Sequence, residues 1–163
     1  MSTSFPSHEP PGYECPFCLY VSGGENDLVQ QRHVVERTDD TLTFVSPRWW
    51  PNNPGAVLVV TTQHIENLYE LPEHVGGPLF AATRRAAVAI KSAYECPGTS
   101  IRQHNEPAGN QDVWHLHVHV FPRYEGDGLY GARPAWADPD EMAERATALR
   151  GAYEQNVELS SDG

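Results

Sequence analysis

The sequence of 163 residues is short of positive charge. It carries 11 Lys and Arg residues against 22 Asp and Glu residues, which gives a formal net charge of -11. Because such a molecule repels a phosphate backbone at long range, the composition argues against binding to a nucleic acid polymer. It does not exclude a small nucleotide, since backbone N–H groups, neutral imidazoles and one or two Arg side chains can form a local site.

Long apolar runs are also missing. No stretch approaches the roughly 18 consecutive apolar residues of a membrane-spanning helix, and residues 1–6 lack the basic and apolar regions of a signal peptide. The chain has only three cysteines, an odd number that does not suit the disulfide framework of a secreted domain. We therefore predict a cytoplasmic protein that does not associate with membranes.

Apolar residues make up 39% of the chain and aromatic residues 10%, which is enough to form a packed core. A chain of 163 residues fits one domain. The first dozen residues are rich in Ser, Pro and Gly, and the last few are small and polar. We predict a single domain over residues 13–153, with a flexible N-terminal segment over 1–12 and a flexible tail over 154–163.

The hydrophobic pattern predicts an α+β fold. Short apolar, β-branched segments bounded by turn residues indicate strands, and a 3.6-residue period indicates helices. The predicted strands cover residues 30–36, 41–46, 56–62, 99–104 and 112–123, and the predicted helices cover 76–94 and 138–150. Between the second and third strands, residues 47–55 contain three prolines and two tryptophans, which indicates a rigid loop. Strands, helix, strands and helix in this order favour a mainly antiparallel sheet.

The most informative segment is the run His115-Leu116-His117-Val118-His119-Val120. In an extended strand, side chains alternate between the two faces, so the three imidazoles share one face and the apolar residues share the other. Burying three imidazoles is costly, because each has two ring nitrogens that need partners. The alternation therefore favours a functional site over a histidine-rich strand that merely faces solvent.

The chemistry of imidazole suggests what such a strand does. A neutral imidazole is a good nucleophile toward phosphorus near pH 7, and a neighbouring imidazole can stabilise charge or move protons. Covalent phosphoryl or nucleotidyl transfer is the reaction this predicts. A zinc site made of the three histidines is the second option, and it ranks lower because same-face strand positions rarely converge on one metal without a bulge.

Residues 111–124, Gln-Asp-Val-Trp-His-Leu-His-Val-His-Val-Phe-Pro-Arg-Tyr, resemble the signature of the histidine-triad (HIT) superfamily. Residues 55–60 and 64–70 resemble its preceding block, and Gly-Asp-Gly at 126–128 follows the triad as in bacterial members. The likeness runs from about Cys15 to Arg150. It implies a HIT-like fold, with a five-stranded antiparallel sheet, one long helix and a C-terminal helix, in a homodimer with two sites.

The resemblance also implies a mechanism. His117 would form a nucleotidyl-histidine intermediate on the α-phosphate of a nucleotide, supported by His119 and His115, and water would then release a nucleoside monophosphate. Gln111 would contact the phosphate or the leaving group, and Asn105 would approach the nucleotide.

A second motif, Cys15-Pro16-Phe17-Cys18, is ambiguous by itself among metal binding, redox chemistry and chance. Bacterial zinc-containing HIT hydrolases begin with a similar pair, and the resemblance implies that His64 and His115 complete a closed, structural zinc site here. Cys96 has no spaced partner and is predicted to be a small buried apolar residue.

Three positions depart from the family pattern. Ala56 stands where many relatives have His, and Ser46 stands where an Asp or Asn contacts the ribose hydroxyls. Asp112 stands where Ser or Thr lies near the leaving group. An ionised carboxylate there would repel phosphate oxygens, whereas a protonated one could donate to the departing group. These departures predict an altered choice of substrate.

Three functions follow as hypotheses. The first is an enzyme that hydrolyses a nucleoside phosphoramidate or a dinucleoside polyphosphate through His117, or passes the nucleotidyl group to another acceptor. The alternative is a nucleotide-binding adaptor protein with lost or reduced catalysis, suggested by Ala56, Ser46 and Asp112. A purely structural zinc module ranks last, because it leaves His117 and His119 without a role.

Overall fold

The computed structural model describes residues 5–161. The helices are α1 (Pro16–Val21), α2 (Glu73–Tyr94) and α3 (Pro139–Ser161). The strands are β1 (Val34–Arg37), β2 (Thr41–Val45), β3 (Arg48–Trp49), β4 (Val57–Thr61), β5 (Gly98–Gln103), β6 (His117–Arg123) and β7 (Ala135–Trp136). Short 3-10 turns lie at Gln31–His33, Leu68–Glu70, Pro107–Gly109 and Leu129–Gly131.

Five strands form one antiparallel sheet in the order β1-β2-β4-β6-β5. This confirms the predicted α+β class, with its long helix and C-terminal helix. Every residue of β2 and β4 is buried, because helices α2 and α3 cover one face of the sheet and α1 packs on the other. Each fully buried Leu, Val or Phe of this core contributes roughly 1.5 to 3 kcal/mol.

Helix α2 buries a stripe made of Leu79, Ala82, Ala86, Ala89 and Ile90, at the spacing that places residues on one helical face. It begins three residues before its predicted start, since Pro78 near the first turns does not prevent helix formation there. Its end is set by a left-handed C-cap, Glu95, with a φ of 50°.

The predicted strand over residues 112–123 is wrong in its first half. The ladder of β6 begins at His117, because residues 112–116 take their hydrogen bonds elsewhere. The N–H of Leu116 donates to the carbonyl of Ile65 at 2.6 Å, and the N–H of Trp114 donates to the Tyr13 hydroxyl at 3.1 Å. Similarly, the predicted strand over 30–36 begins with a 3-10 turn and becomes β1 only at Val34.

The segment 47–55 is less loop-like than predicted. Arg48 and Trp49 form β3, which pairs with β7 in a separate two-stranded sheet. The segment ends at Gly55, whose φ is 83° and where a Cβ would lie 2.5 Å from the Tyr94 hydroxyl. Both observations require glycine at this turn.

Described residues near both ends of the chain form a helix or hydrogen bonds. Helix α3 continues to Ser161, through most of the predicted tail, because residues such as Glu, Gln and Leu after residue 153 favour helix. Near the other end, the Ser7 hydroxyl donates to Glu66 at 2.5 Å and the His8 N–H donates to the same carboxylate at 2.8 Å. The domain boundaries themselves stay a prediction.

Candidate active site and metal centre

His117 is the first residue of β6 and is 2% exposed. Its Nδ1 lies 2.7 Å from the carbonyl oxygen of His115. A carbonyl can only accept, so the proton sits on Nδ1 and the lone pair is left on Nε2. Burial lowers the pKa of His117, which keeps the imidazole neutral. This side chain therefore has the protonation state of a nucleophile.

His119, two residues further along β6, has an unsatisfied ring nitrogen. Its Nδ1 is buried and has no hydrogen-bond partner among the described residues. The ring lies 5.0 Å from that of His117 and stacks on Phe121, at 5.6 Å with an angle of 3°. Burial, followed by the neighbouring His117 and His104, lowers the pKa of His119 well below its ordinary value. A buried polar nitrogen without a partner is a place for a ligand to bind.

Both histidines line a cavity of about 680 Å³, which is within the range of small-molecule sites. On the β4 side of β6, its walls include Phe17, Tyr20, Leu28, Ser46 and Leu58. On the β5 side, they include Arg102 and His104, with Trp50 and Tyr130 packed against Arg102, and Phe121 of β6 lies beside them. Apolar and aromatic walls around a few polar groups are typical of a site for a nucleotide-sized molecule.

The sequence-predicted substrate residues fall into two groups. Asp112 and Ser46 line the cavity. Asp112 is exposed and pairs with Arg48 at 3.2 Å, whereas the Ser46 hydroxyl donates to the carbonyl of Arg48 at 3.0 Å.

Gln111 and Asn105 do not line this cavity. The Gln111 amide donates to the carbonyls of Glu66, at 2.6 Å, and Val113, at 3.0 Å, while its oxygen accepts from the N–H of Glu106 at 2.9 Å. The Asn105 oxygen accepts from the N–H of Leu68 at 2.8 Å. In this structure both side chains hold loops in place.

Three basic side chains of the cavity were not predicted from the sequence: Arg48, Arg102 and His104. The Nδ1 of His104 lies 2.6 Å from the carbonyl of Gly109, so its proton is fixed as in His117. Its ring lies 5.7 Å from that of His119. Alternation along the predicted strand 99–104 places Arg102 and His104 on one face, but only the pairing of β5 with β6 shows which residues they adjoin.

Cys15, Cys18, His64 and His115 form a compact cluster on the other side of the triad segment. Their four ligand atoms lie within 4.8 Å of one another. Cys15 Sγ is 3.3 Å from His115 Nδ1, and Cys18 Sγ is 3.2 Å from His64 Nδ1 and 3.6 Å from His115 Nδ1. Tetrahedral zinc places its sulfur and nitrogen ligands about 3.4 to 3.8 Å apart, so this donor set fits zinc.

The outer ring nitrogens of this cluster are also arranged for a metal. His115 Nε2 lies 2.8 Å from the carbonyl of Thr61, and His64 Nε2 contacts the carboxylate of Glu9. Such acceptors fix the proton on Nε2 and leave Nδ1 free to bind a metal. Burial lowers the pKa of His115 to about 4, so its ring is neutral, as a metal ligand must be. His115 faces this cluster and does not line the cavity.

The fold, the paired cavity imidazoles and the Cys2His2 cluster define the class of protein. A family model described as HIT domain matches residues 27–126. The chain therefore belongs to the HIT family. No helix within residues 5–161 is long and apolar enough to cross a membrane.

Known relatives cover most of the chain. It is 31% identical over 141 residues to a protein named Protein hit from Bacillus subtilis, which covers 83% of this chain and 91% of the relative. A crystal structure of a Zn-bound histidine triad family protein from Mycobacterium smegmatis superposes with a TM-score of 0.73 and 29% identity, covering 91% of this chain and 97% of that one. An AP-4-A phosphorylase from Mycobacterium tuberculosis is 34% identical over 90 residues, covering 55% of this chain and 46% of the relative.

Proposed function

We propose that the protein transfers a nucleotidyl group from a nucleoside phosphoramidate or a dinucleoside polyphosphate to water, through a covalent intermediate on His117. The observation that carries this proposal is the hydrogen bond from His117 Nδ1 to the carbonyl of His115, because it leaves the Nε2 lone pair free to attack in a cavity of nucleotide size. A relative with the name AP-4-A phosphorylase supports the substrate class.

The reaction has two displacements at one phosphorus. His117 Nε2 attacks the α-phosphorus and forms a P–N bond, while the bond to the leaving group breaks and its electron pair stays on the departing oxygen or nitrogen. Water then attacks the same phosphorus, the P–N bond breaks and its electron pair returns to the imidazole. The water gives up one proton, which balances the proton that a departing amine takes up and goes to solvent when a phosphate departs, so the products are a nucleoside monophosphate and the leaving group.

Other cavity residues have supporting roles in this proposal. His119 offers a buried ring nitrogen to a phosphate oxygen, which satisfies the atom that has no partner within residues 5–161. Ser46 offers its hydroxyl to the ribose on the β4 side of the cavity. Asp112 and its partner Arg48 lie at the exposed edge of the cavity, where their charges act on an approaching nucleotide.

The test is to incubate the protein with adenosine phosphoramidate and with diadenosine polyphosphates, and to quench samples rapidly in denaturant. We expect turnover and a nucleotidyl adduct on the chain, both lost in His117→Ala. His74→Ala is the matched control, since His74 is exposed on α2 away from the cavity. Nucleotide binding without any adduct would instead support the adaptor function, and turnover by His117→Ala equal to the parent would refute the assigned nucleophile.

The second part of the proposal is a structural zinc ion held by Cys15, Cys18, His64 and His115. A closed, four-ligand site ties the N-terminal segment to the sheet and stabilises the fold. Metal analysis of protein purified without chelator should find about one zinc per chain for one four-ligand site. A value well below one would contradict this part alone.

The third part is a homodimer. Strand β5 is an edge strand, and an apolar groove of about 280 Å³ lies beside it, lined by Leu71, Leu79, Phe80, Ile101 and Val118 among others. Phe80 is 71% exposed and Ile101 is 48% exposed, which leaves an apolar patch uncovered in the single chain. Sedimentation equilibrium should give a dimer that Phe80→Asp converts to a monomer. A monomeric parent protein would contradict this part.

A further inference from the structure

Arg102 is the guanidinium of the cavity that lacks an acidic partner. It lies on β5, directly opposite His119 on β6, and it lines the same cavity. Within residues 5–161, its buried Nη2 has no hydrogen-bond partner and no carboxylate forms an ion pair with it. An unpaired cationic nitrogen removed from water is costly, so this position favours an anion.

Two neighbouring arginines, Arg48 and Arg123, are already neutralised. Arg48 pairs with Asp112 at 3.2 Å. Arg123 makes a bidentate pair with Asp127, with distances of 2.7 and 2.9 Å. Although the chain has a strongly negative net charge, Arg102 differs from Arg48 and Arg123 because its guanidinium has N–H groups available to a ligand.

Aromatic rings hold the Arg102 guanidinium in place. Its central carbon lies 4.3 Å from the ring centre of Tyr130, 5.1 Å from that of Phe121 and 5.7 Å from that of Trp50. Rings take up the faces of a guanidinium through cation–π attraction and leave its in-plane N–H groups for hydrogen bonds. A planar fork of this kind matches two oxygens of a phosphate.

We propose that Arg102 is a specificity-determining residue that binds the leaving group, and that this leaving group is a phosphate joined to the one that His117 attacks. The proposal rests on the proposed function. Of the two substrate classes proposed above, phosphoramidates and dinucleoside polyphosphates, a role for Arg102 favours nucleotides with at least two consecutive phosphates. An amine leaving group carries no negative charge and gains nothing from Arg102.

The position of Arg102 suits the charge that develops in the reaction. When the bond between the α-phosphorus and the bridging oxygen breaks, the electron pair stays on that oxygen, and negative charge accumulates on the departing phosphate. A guanidinium already fixed beside His119 stabilises this charge without reorganising. Ser46 and Leu58 lie on the opposite side of β6, which leaves that side for the nucleoside that is transferred.

The experiment compares kcat/KM for diadenosine triphosphate and for adenosine 5′-phosphoramidate. Arg102→Gln should lower the first by about 100-fold and the second by less than about 3-fold, because only the first places a charge-assisted hydrogen bond on this side chain. Arg102→Lys keeps the charge but loses the planar pair of donors, so its kcat/KM for diadenosine triphosphate should lie between those of the parent and Arg102→Gln. Arg133→Gln is the matched control, because Arg133 is an exposed residue between two residues that line the cavity and does not line it itself. Equal losses on both substrates, or no loss, would overturn the proposal.

A binding measurement separates this proposal from the proposed function. In a His117→Ala background, ADP should bind at least about 10-fold more tightly than AMP, and Arg102→Gln should remove that advantage. If the parent protein turns over neither substrate, the proposed function fails while binding still tests Arg102. Equal affinity for ADP and AMP in the His117→Ala protein would overturn the role of Arg102. Thermal unfolding of each variant shows whether a loss reflects the site or the fold.

Discussion

His115 and His117 are two residues apart, yet they belong to regions with opposite properties. Both nitrogens of His115 are taken up by protein groups, with thiols on one side and the Thr61 carbonyl on the other. His117 and His119 each have a ring nitrogen left for a molecule from outside. The Cys2His2 cluster is therefore complete in protein groups, whereas the cavity has ring nitrogens available to a ligand. Alternate histidines of one segment can therefore belong to two different sites, because the extended strand begins only at His117.

Replacing His117, the proposed nucleophile, should separate the two regions most sharply. We expect His117→Ala to lower kcat by at least about 10⁴-fold, because loss of a nucleophile removes the covalent route altogether. Zinc content should stay at the level of the parent protein, since His117 is not a ligand. Steady-state kinetics and metal analysis on the same preparation check both points. Loss of zinc in His117→Ala would show that the cavity and the Cys2His2 cluster cannot be altered separately through His117.

Damage to the Cys2His2 cluster should affect both this cluster and the cavity. Cys18→Ser should lower the free energy of unfolding by at least about 3 kcal/mol, because metal binding contributes directly to folding. Turnover should fall with it, because His115 supplies the carbonyl that orients His117. Chemical denaturation with and without added zinc measures the effect.

Cys96→Ala is the matched control for that variant. Cys96 is a buried thiol outside the cluster, so the zinc content of the Cys96→Ala protein should equal that of the parent. Full stability and activity in zinc-free Cys18→Ser would contradict the proposed structural role of the metal.

A third variant, Asp127→Asn, should destabilise the protein near the cavity and leave the Cys2His2 cluster unchanged. Asp127 accepts from Arg123 and, at 2.7 Å, from the amide of Asn53, so it fastens the segment 47–55 to the end of β6. Asp127→Asn should lower the free energy of unfolding by about 2 to 4 kcal/mol, because it leaves a partly buried guanidinium without its partner. Zinc content should remain unchanged.

The pH dependence provides a check on this variant. The Arg123 guanidinium holds the pKa of Asp127 well below its ordinary value. A lowered carboxyl pKa stabilises the fold above the unfolded pKa of about 3.9, and that stabilisation is lost as the pH falls toward the folded value. The difference in stability between the parent and Asp127→Asn should therefore be full near pH 6 and should shrink below about pH 4. A difference independent of pH would argue against the ion pair.

The smallest effect is expected at the exposed edge of the cavity. Asp112→Asn should change the free energy of unfolding by less than about 0.5 kcal/mol, since an exposed pair contributes little. It should lower KM for a dinucleoside polyphosphate by about 2- to 5-fold, because it removes a negative charge and frees Arg48. Asp140→Asn, which breaks the exposed pair with Arg32, is the control and should leave KM unchanged. An increase in KM for Asp112→Asn would show that the carboxylate assists the substrate.

The sequence was sufficient to predict the parts of the fold that depend on local pattern. The strands of the sheet and helix α2 follow from hydrophobic periodicity, and the pairing of His117 with His119 follows from alternation along β6. His115 did not follow from alternation, because the strand starts only at His117. Its place beside the two cysteines came from the family resemblance.

Other parts of the site depend on contacts that no local pattern contains. Arg102 becomes a cavity residue only through the register that sets it opposite His119. Gln111 and Asn105 lie in the expected segments, but their amides bond to backbone groups of neighbouring loops. A short polar side chain can satisfy either a ligand or a loop, and the sequence does not distinguish the two.

The carbonyl of His115 belongs to a single peptide group that both regions use. The residue that carries it binds in the cysteine cluster, and its oxygen accepts from the imidazole that faces the cavity. Replacing Cys15, Cys18, His64 and His115 with apolar side chains would remove the contacts of the His115 ring with Cys15 and Thr61, which hold the same residue in place. Redesign of the cluster therefore has to preserve the backbone at His115, because the proposed nucleophile, His117, donates to its carbonyl.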